Sequence, residues 1–240
     1  MNHQTNNFIS CLDSKIQQNN EFYARFHLGT FISGQALTVA NSLRRTLLSE
    51  IPAFVITNVH IQGVNHEFST VPGVQENLLT VLLNLKNLVL VANKKQVCFN
   101  LFKEFTATLN LRGPKKIFAS DINFPLGISS VNPYFYIASL NSTAEFNLSL
   151  KIQYIDPTKL IETNLNKSQT SSSENELFLD TSPKPIKQVN FGIHPISANS
   201  EYISLEIWTN GSITPQQALE YSLEKLTGLF YNFSNLSKIV

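Results

Sequence analysis

Residues 21–32, EFYARFHLGTFI, alternate apolar and polar positions, the period of a strand with one buried face. Gly34 breaks that pattern. From Gln35 to Glu50 the apolar residues Leu37, Val39, Ala40, Leu43, Leu47 and Leu48 recur at helical spacing and stop before Pro52, which predicts a helix. Two short β-rich runs follow, Phe54–Ile61 and Glu67–Thr70, separated by Gln62-Gly63 as in a hairpin. Gln75–Lys86 reads as a helix whose Leu78, Leu79, Leu82, Leu83 and Leu85 make a broad apolar face. Strands are expected at Leu88–Ala92, Gln96–Lys103, Glu104–Leu111, Ala138–Leu140, Ala144–Ile155, Gln188–His194 and Tyr202–Trp208. Between Asp156 and Ser182 the polar stretch TNLNKSQTSSSENE carries no apolar period and reads as a solvated loop. Thr214-Pro215-Gln216-Gln217 opens a last helix reaching about Asn232, with a capping box and proline at the first helical position. Its apolar face carries Ala218, Leu219, Leu223, Leu226, Leu229 and Phe230. The fold class is α+β, two long helices and a middle helix on mainly antiparallel sheets.

Composition adds that the chain folds and that its surface is short of charge. It has 240 residues, 42% of them hydrophobic, enough for a substantial core. Charged residues make up only 15%, against about 25% in an ordinary soluble domain, as expected of a surface that partners cover. The net charge is +1 and the pI near 7.8, which argues against strong direct DNA binding by a basic face, where a pI above about 9 is usual. Cys11 and Cys98 lie far apart and form no metal-ligand spacing. No apolar run reaches the roughly 18 residues of a membrane span, and the first residues, MNHQTNNFIS, have neither a signal peptide's apolar region nor an Arg-rich transit pattern.

Self-contained catalytic chemistry is not visible. The histidines, His3, His27, His60, His66 and His194, form no HExxH pair, and the aspartates Asp13, Asp121, Asp156 and Asp180 are isolated, so no cluster offers to hold catalytic metal ions. Phosphate-binding glycine loops and a nucleophile elbow are missing too. His66-Glu67 is the one suggestive acid/base pair. The expectation is no catalytic residue, no metal site and no cofactor on this chain. Arg44-Arg45 is unusual in being set inside an apolar helix. At about 100° per residue the two point to separate faces, so one can reach solvent while the other enters an interface.

This helix, Gly34-Gln35-Ala36-Leu37-Thr38-Val39-Ala40-Asn41-Ser42-Leu43-Arg44-Arg45-Thr46-Leu47-Leu48, resembles the first long helix of the bacterial and plastid RNA polymerase alpha subunits. Further landmarks follow in the family's order: His66-Glu67-Phe68-Ser69-Thr70, Gly73-Val74-Gln75-Glu76, Leu82–Lys86, Gly113-Pro114 with Ala119–Ile122, Val189-Asn190-Phe191, and Leu205–Pro215. The Gly-Gln-Ala opening and the string Glu206-Ile207-Trp208-Thr209-Asn210-Gly211-Ser212 look like the plastid branch.

The resemblance implies a two-domain assembly fold. Residues 1–52 and 186–240 would form a dimerisation domain of two long helices on an antiparallel sheet, and residues 53–185 an inserted, mainly β domain. It implies an alpha homodimer that docks the beta and beta-prime type subunits, the latter holding the catalytic Mg²⁺, in the plastid stroma or nucleoid, with plastid accessory proteins as further partners. Arg44, Arg45 and Leu48 would then lie at or near a large-subunit contact, as would His66, Glu67, Gly73, Val74, Glu76 and Lys86 of the insert. Leu43, Leu47, Leu219, Leu223, Leu226 and Phe230 would serve folding and dimerisation. Two features depart from the family pattern: Ala40 replaces its usual glycine, and only Gln153-Tyr154 stands for its Arg/Gly-rich loop. The chain stops at Val240, where the family continues into a linker and a C-terminal DNA- and activator-binding domain. The alternatives are an archaeal or nuclear alpha-like heterodimer subunit, and a stand-alone ligand-binding or enzymatic α+β protein using His66 and Glu67.

Overall fold

Strands from the two ends of the chain form one sheet, and the segment between them forms another. The computed structural model describes residues 9–17, 20–93, 104–158 and 176–234, with the side chains of the last helix described to Tyr231. The chain divides into two compact units, residues 1–51 with 184–240, and residues 52–183.

In the first unit β1 (Ile9–Ile16), β2 (Phe22–Ile32), β12 (Ser200–Thr209) and β11 (Ile186–Ser197) form an antiparallel sheet in the order β1-β2-β12-β11. Its period-2 pattern is strict where helices cover it. Ala24, Phe26 and Leu28 of β2 and Ile203, Leu205 and Ile207 of β12 point into the core. On the opposite face Tyr23 lies against Trp208, ring centroids 4.9 Å apart, and donates to Glu206 at 2.9 Å. Helices α1 (Gln35–Ser49) and α3 (Pro215–Ser234) pack on the core face and on each other. Ala36, Ala40, Leu43 and Leu47 of α1 and Ala218 and Leu219 of α3 are buried there. The hydroxyl of Thr214 accepts from the backbone N–H of Gln217 at 3.3 Å, the expected N-cap bond of α3. The sequence pattern did not announce β1, whose side chains are almost all exposed and therefore carry no buried-face period.

The second unit is built on a sheet of order β10-β3-β9-β5, from β3 (Ala53–Ile61), β5 (Glu104–Arg112), β9 (Glu145–Ile155) and the short β10 (Leu177–Phe178). Two ribbons accompany it, β4 (Leu90–Ala92) with β7 (Ile128–Ser130), and β6 (Lys115–Phe118) with β8 (Tyr136–Leu140). Helix α2 (Leu78–Lys86) buries Leu78, Val81, Leu82 and Leu85 in the same core as Ile56, Leu109, Phe146 and Leu150.

Two expectations change here. Glu67–Thr70 is a turn with Ser69 N–H donating to His66 O at 3.0 Å, not a strand. Helix α2 begins three residues later than its leucine pattern suggested, because Gln75 and Glu76 are drawn into bonds with Ser139 of β8. Gln96–Lys103, expected as a strand, lies outside the described residues, as does most of the polar loop after Asp156.

Candidate functional site

On α1 the two sets of candidate residues lie in different surroundings. Leu43 and Leu47 are 0% and 1% exposed. They belong to their own unit's core and can act on a partner only by holding α1 in place. Arg44, Arg45 and Leu48 are exposed. Leu37, also exposed, shares a stripe with Arg44 and Leu48 at i, i+7 and i+11, while Arg45 lies a further 100° round. Neither guanidinium has an ion-pair partner among the described residues. The hydroxyls of Ser42 and Ser49 donate to the carbonyls of Thr38 and Arg45, at 2.8 and 2.7 Å, so these side chains are already satisfied within the helix.

Helix α3 shows a gradient along its length. Leu219 is buried, so it too belongs to folding rather than to an exposed contact. Leu223 and Leu226 are half-buried, and Phe230 is exposed beside Leu229 and Tyr231. An open cleft of about 460 Å³ lies here, lined by Glu50 at the end of α1 and by Glu224, Leu226, Leu229 and Tyr231 of α3. The sequence pattern puts Leu37 and Leu229 on helix faces without giving either a contact, and it leaves out Tyr231. The i, i+7 and i+11 spacing of Leu37, Arg44 and Leu48 was the available signal.

In the second unit the turn that precedes α2 is held rigidly from below. Glu76 points into a clamp in which Tyr136 Oη donates to Oε1, and Ser139 N–H to Oε2 at 2.8 Å. Ser139 Oγ lies 2.9 Å from both Glu76 Oε1 and Gln75 Oε1. Burial pushes the Glu76 carboxyl up, but the bonds from Tyr136 and Ser139 outweigh it and hold the carboxyl below its ordinary value. Burial, with Glu76 beside it, raises the Tyr136 phenol. Glu76, expected at a partner contact, is thus a fastener of its own turn.

Gly73 is fixed by close packing. Its φ is +81°, and a Cβ on it would sit 2.5 Å from the Cβ of Ala144, so only glycine fits. Its carbonyl accepts from Asn141 N–H at 2.8 Å, and Val74 makes an isolated bridge to Leu140. His66, Glu67 and Lys86 are exposed. Lys86, in the last turn of α2, complements the helix dipole and completes a surface stripe with exposed Leu79 and Leu83. Phe68, 72% exposed, and Leu79 flank a shallow depression of about 320 Å³.

These surfaces do not form an acid/base site. Glu67 and Glu76 line the same depression, but His66 does not, and the Glu76 carboxylate is taken up by its donors. Among the described residues no group of three His, Cys, Asp or Glu side chains could hold a metal ion. No described helix is long and apolar enough to cross a membrane. What the geometry offers is rigid, partly apolar surface with single basic residues set into it, the chemistry of protein contact.

Comparison with known proteins agrees with that character. Residues 59–179 match the family of the RNA polymerase Rpb3/RpoA insert domain. The chain is 40% identical to the DNA-directed RNA polymerase subunit alpha of Chlorella vulgaris over 97% of both chains. It is 39% identical to that of Cyanidium caldarium over 92% of this chain and 69% of the relative. With the subunit of Synechococcus elongatus it shares 34% identity over 95% of this chain and 72% of the relative. The chain therefore belongs to the family of DNA-directed RNA polymerase alpha subunits.

Proposed function

We propose that this chain is the alpha subunit of a plastid multisubunit DNA-dependent RNA polymerase, that it dimerises, and that the dimer is the scaffold on which beta and beta-prime type subunits assemble. Nucleotidyl transfer then belongs to the assembled enzyme, with the catalytic Mg²⁺ on the beta-prime type subunit, and this chain contributes no catalytic residue. The observation that carries the reading is the exposed apolar surface of α1 and α3, formed by Leu37, Leu48, Leu229, Phe230 and Tyr231 over a core already filled by Leu43, Leu47 and Leu219. Exposed apolar side chains on both helices, with Arg44 on the same stripe as Leu37 and Leu48 and without an ion-pair partner among the described residues, mark a contact.

In this reading Arg45 and Leu48 meet a beta-type subunit, and Phe68, Leu79, Leu83 and Lys86 carry an insert-domain contact with His66 and Glu67 at its edge. Gly73, Val74 and Glu76 shape the turn behind it. Its place is the plastid stroma or nucleoid, where accessory proteins of the polymerase are further candidates for the same surfaces. Light scattering on the purified chain, alone and with the beta-type subunit, tests the proposal. A mass near twice 27.0 kDa that rises on adding the second subunit is expected. A monomer indifferent to that subunit would overturn it.

A further inference from the structure

Asn210-Gly211 is the single Asn-Gly step in the sequence, and it follows the last residue of β12, Thr209. Gly211 has a φ of 93° and no Cβ, so its backbone nitrogen can approach the Asn210 side chain in conformations closed to other residues. In the folded unit the Asn210 carboxamide is held on both sides. Nδ2 donates to Lys184 O at 3.1 Å, while Oδ1 accepts from Ser212 N–H at 3.0 Å and from Ser212 Oγ at 2.6 Å. The Asn210 backbone N–H donates to Pro185 O at 2.9 Å. Lys184 and Pro185 immediately precede Ile186, which lies opposite Thr209 in the β11–β12 register. Asn210 thus ties the end of β12 to the entry of β11, and Gly211 beside it is buried.

We propose that Asn210 is a site of spontaneous deamidation, held closed by the folded first unit and exposed when the contact with residues 184 and 185 opens. In the open chain hydroxide removes the proton of the Gly211 N–H, and the nitrogen attacks Cγ of Asn210. The new N–Cγ bond closes a cyclic imide as the Cγ–Nδ2 bond breaks, and Nδ2 leaves as ammonia with a proton from water. Water then opens the imide. Cleavage of the N–Cγ bond leaves aspartate, and cleavage of the bond to the backbone carbonyl carbon leaves isoaspartate, with nothing oxidised or reduced. Expelling Nδ2 forfeits its bond to Lys184, and burial of Gly211 keeps hydroxide from its N–H, so the folded chain resists both steps.

The modification is one-way in its structural effect. Both products replace the amide by a carboxylate, which has no proton to donate to Lys184 O and meets it acceptor to acceptor. A chain that opens, reacts and closes again therefore lacks the bond between the end of β12 and the entry of β11. Position 210 records excursions out of the folded state.

The test incubates the full chain in mildly alkaline buffer, native and in urea, with a sample digested at once as the baseline. Mass spectrometry scores the peptide containing position 210 for amide-to-acid conversion and, by fragmentation, for isoaspartate. Conversion in urea should exceed that of the native chain by at least about tenfold. Equal conversion in the two would show that the fold does not close the site, and no conversion in urea that the site is not labile; either overturns the proposal. Gly211→Ala should lose most of the conversion in urea, where folding is not at issue, and an unchanged rate would remove Gly211 as the attacking group. Asn210→Asp keeps the acceptor for Ser212 and removes only the donor to Lys184, so its urea midpoint should fall below the parent's. An unshifted midpoint overturns the structural effect of the modification.

Discussion

Glu201 of β12 reaches Gly34, its Oε1 accepting from the Gly34 backbone N–H at 2.8 Å and from that of Ala36 at 3.1 Å. Gly34 occupies the N-cap of α1 with φ 91° and has no side chain to cap the helix. A carboxylate from the neighbouring strand does so instead, satisfying two orphan donors and facing the positive end of the helix dipole. Glu201→Ala should cost about 1 kcal/mol of stability, read as a lower urea midpoint with unchanged slope. Glu201→Gln should lose less, because the amide oxygen can still accept. An unshifted midpoint in the alanine variant would show that water replaces the cap without loss.

Gly73 and Gly63 have similar positive φ but different surroundings, which separates backbone strain from crowding. Gly63→Ala meets open space and should cost about 1–2 kcal/mol from the left-handed conformation alone. Gly73→Ala adds a clash with Ala144 and should cost a further ~1–3 kcal/mol. Equal losses for the two in chemical denaturation would mean that the 73–76 turn yields to the new methyl.

The clamp on Glu76 makes the second unit sensitive to acid. The folded-state pKa lies below the ordinary 4.5, so its contribution is complete above about 4.5 and is lost as pH falls through the lowered folded value. The thermal midpoint of the parent should therefore fall on acidification below that point, and Glu76→Gln should flatten this part of the profile while lowering stability at pH 7. Tyr136 has the opposite sign. Its raised pKa gives a contribution present below 10.0, the phenol's ordinary value, and lost only as pH rises through the folded value.

Arg45→Ala and Leu47→Ala should fail in different assays. Arg45 is exposed and Leu47 is 1% exposed. Arg45→Ala should leave melting and dimer mass unchanged while weakening capture of the beta-type subunit in a pull-down. Leu47→Ala should cost about 2–5 kcal/mol of stability through the cavity it leaves. Equal capture by Arg45→Ala and its parent would remove Arg45 from the interface.

Elements with one buried face were legible in the sequence, because burial imposes a period: β2, β9, β12, α1 and α3 all follow theirs. Elements without that asymmetry were not. β1 is exposed along nearly its whole length, and Gln75 and Glu76 look helical until Ser139 pulls them into extended bonds, a relation between residues more than sixty positions apart. The site residues divided similarly. Motif resemblance put Glu76 at a partner contact and gave Leu43 and Leu47 folding and dimerisation together, because a motif records that a position matters and not which way its side chain points. Glu201 escaped notice because its role depends on a helix N-cap 167 residues earlier.

The pairing of β2 with β12 also sets a schedule. A ribosome releases β1, β2 and α1 first, and their partners β11, β12 and α3 emerge only after the whole second unit has been made. At roughly 5–20 residues per second, the sheet waits about 10–40 s for its other half, with Ala24, Phe26 and Leu28 lacking their neighbours from β12 and α3. The second unit is continuous in sequence and can close during that interval. Synthesis thus favours a nascent chain in which the insert is folded before the sheet that precedes it is complete, and the open half-sheet is the species that a nascent-chain chaperone would meet.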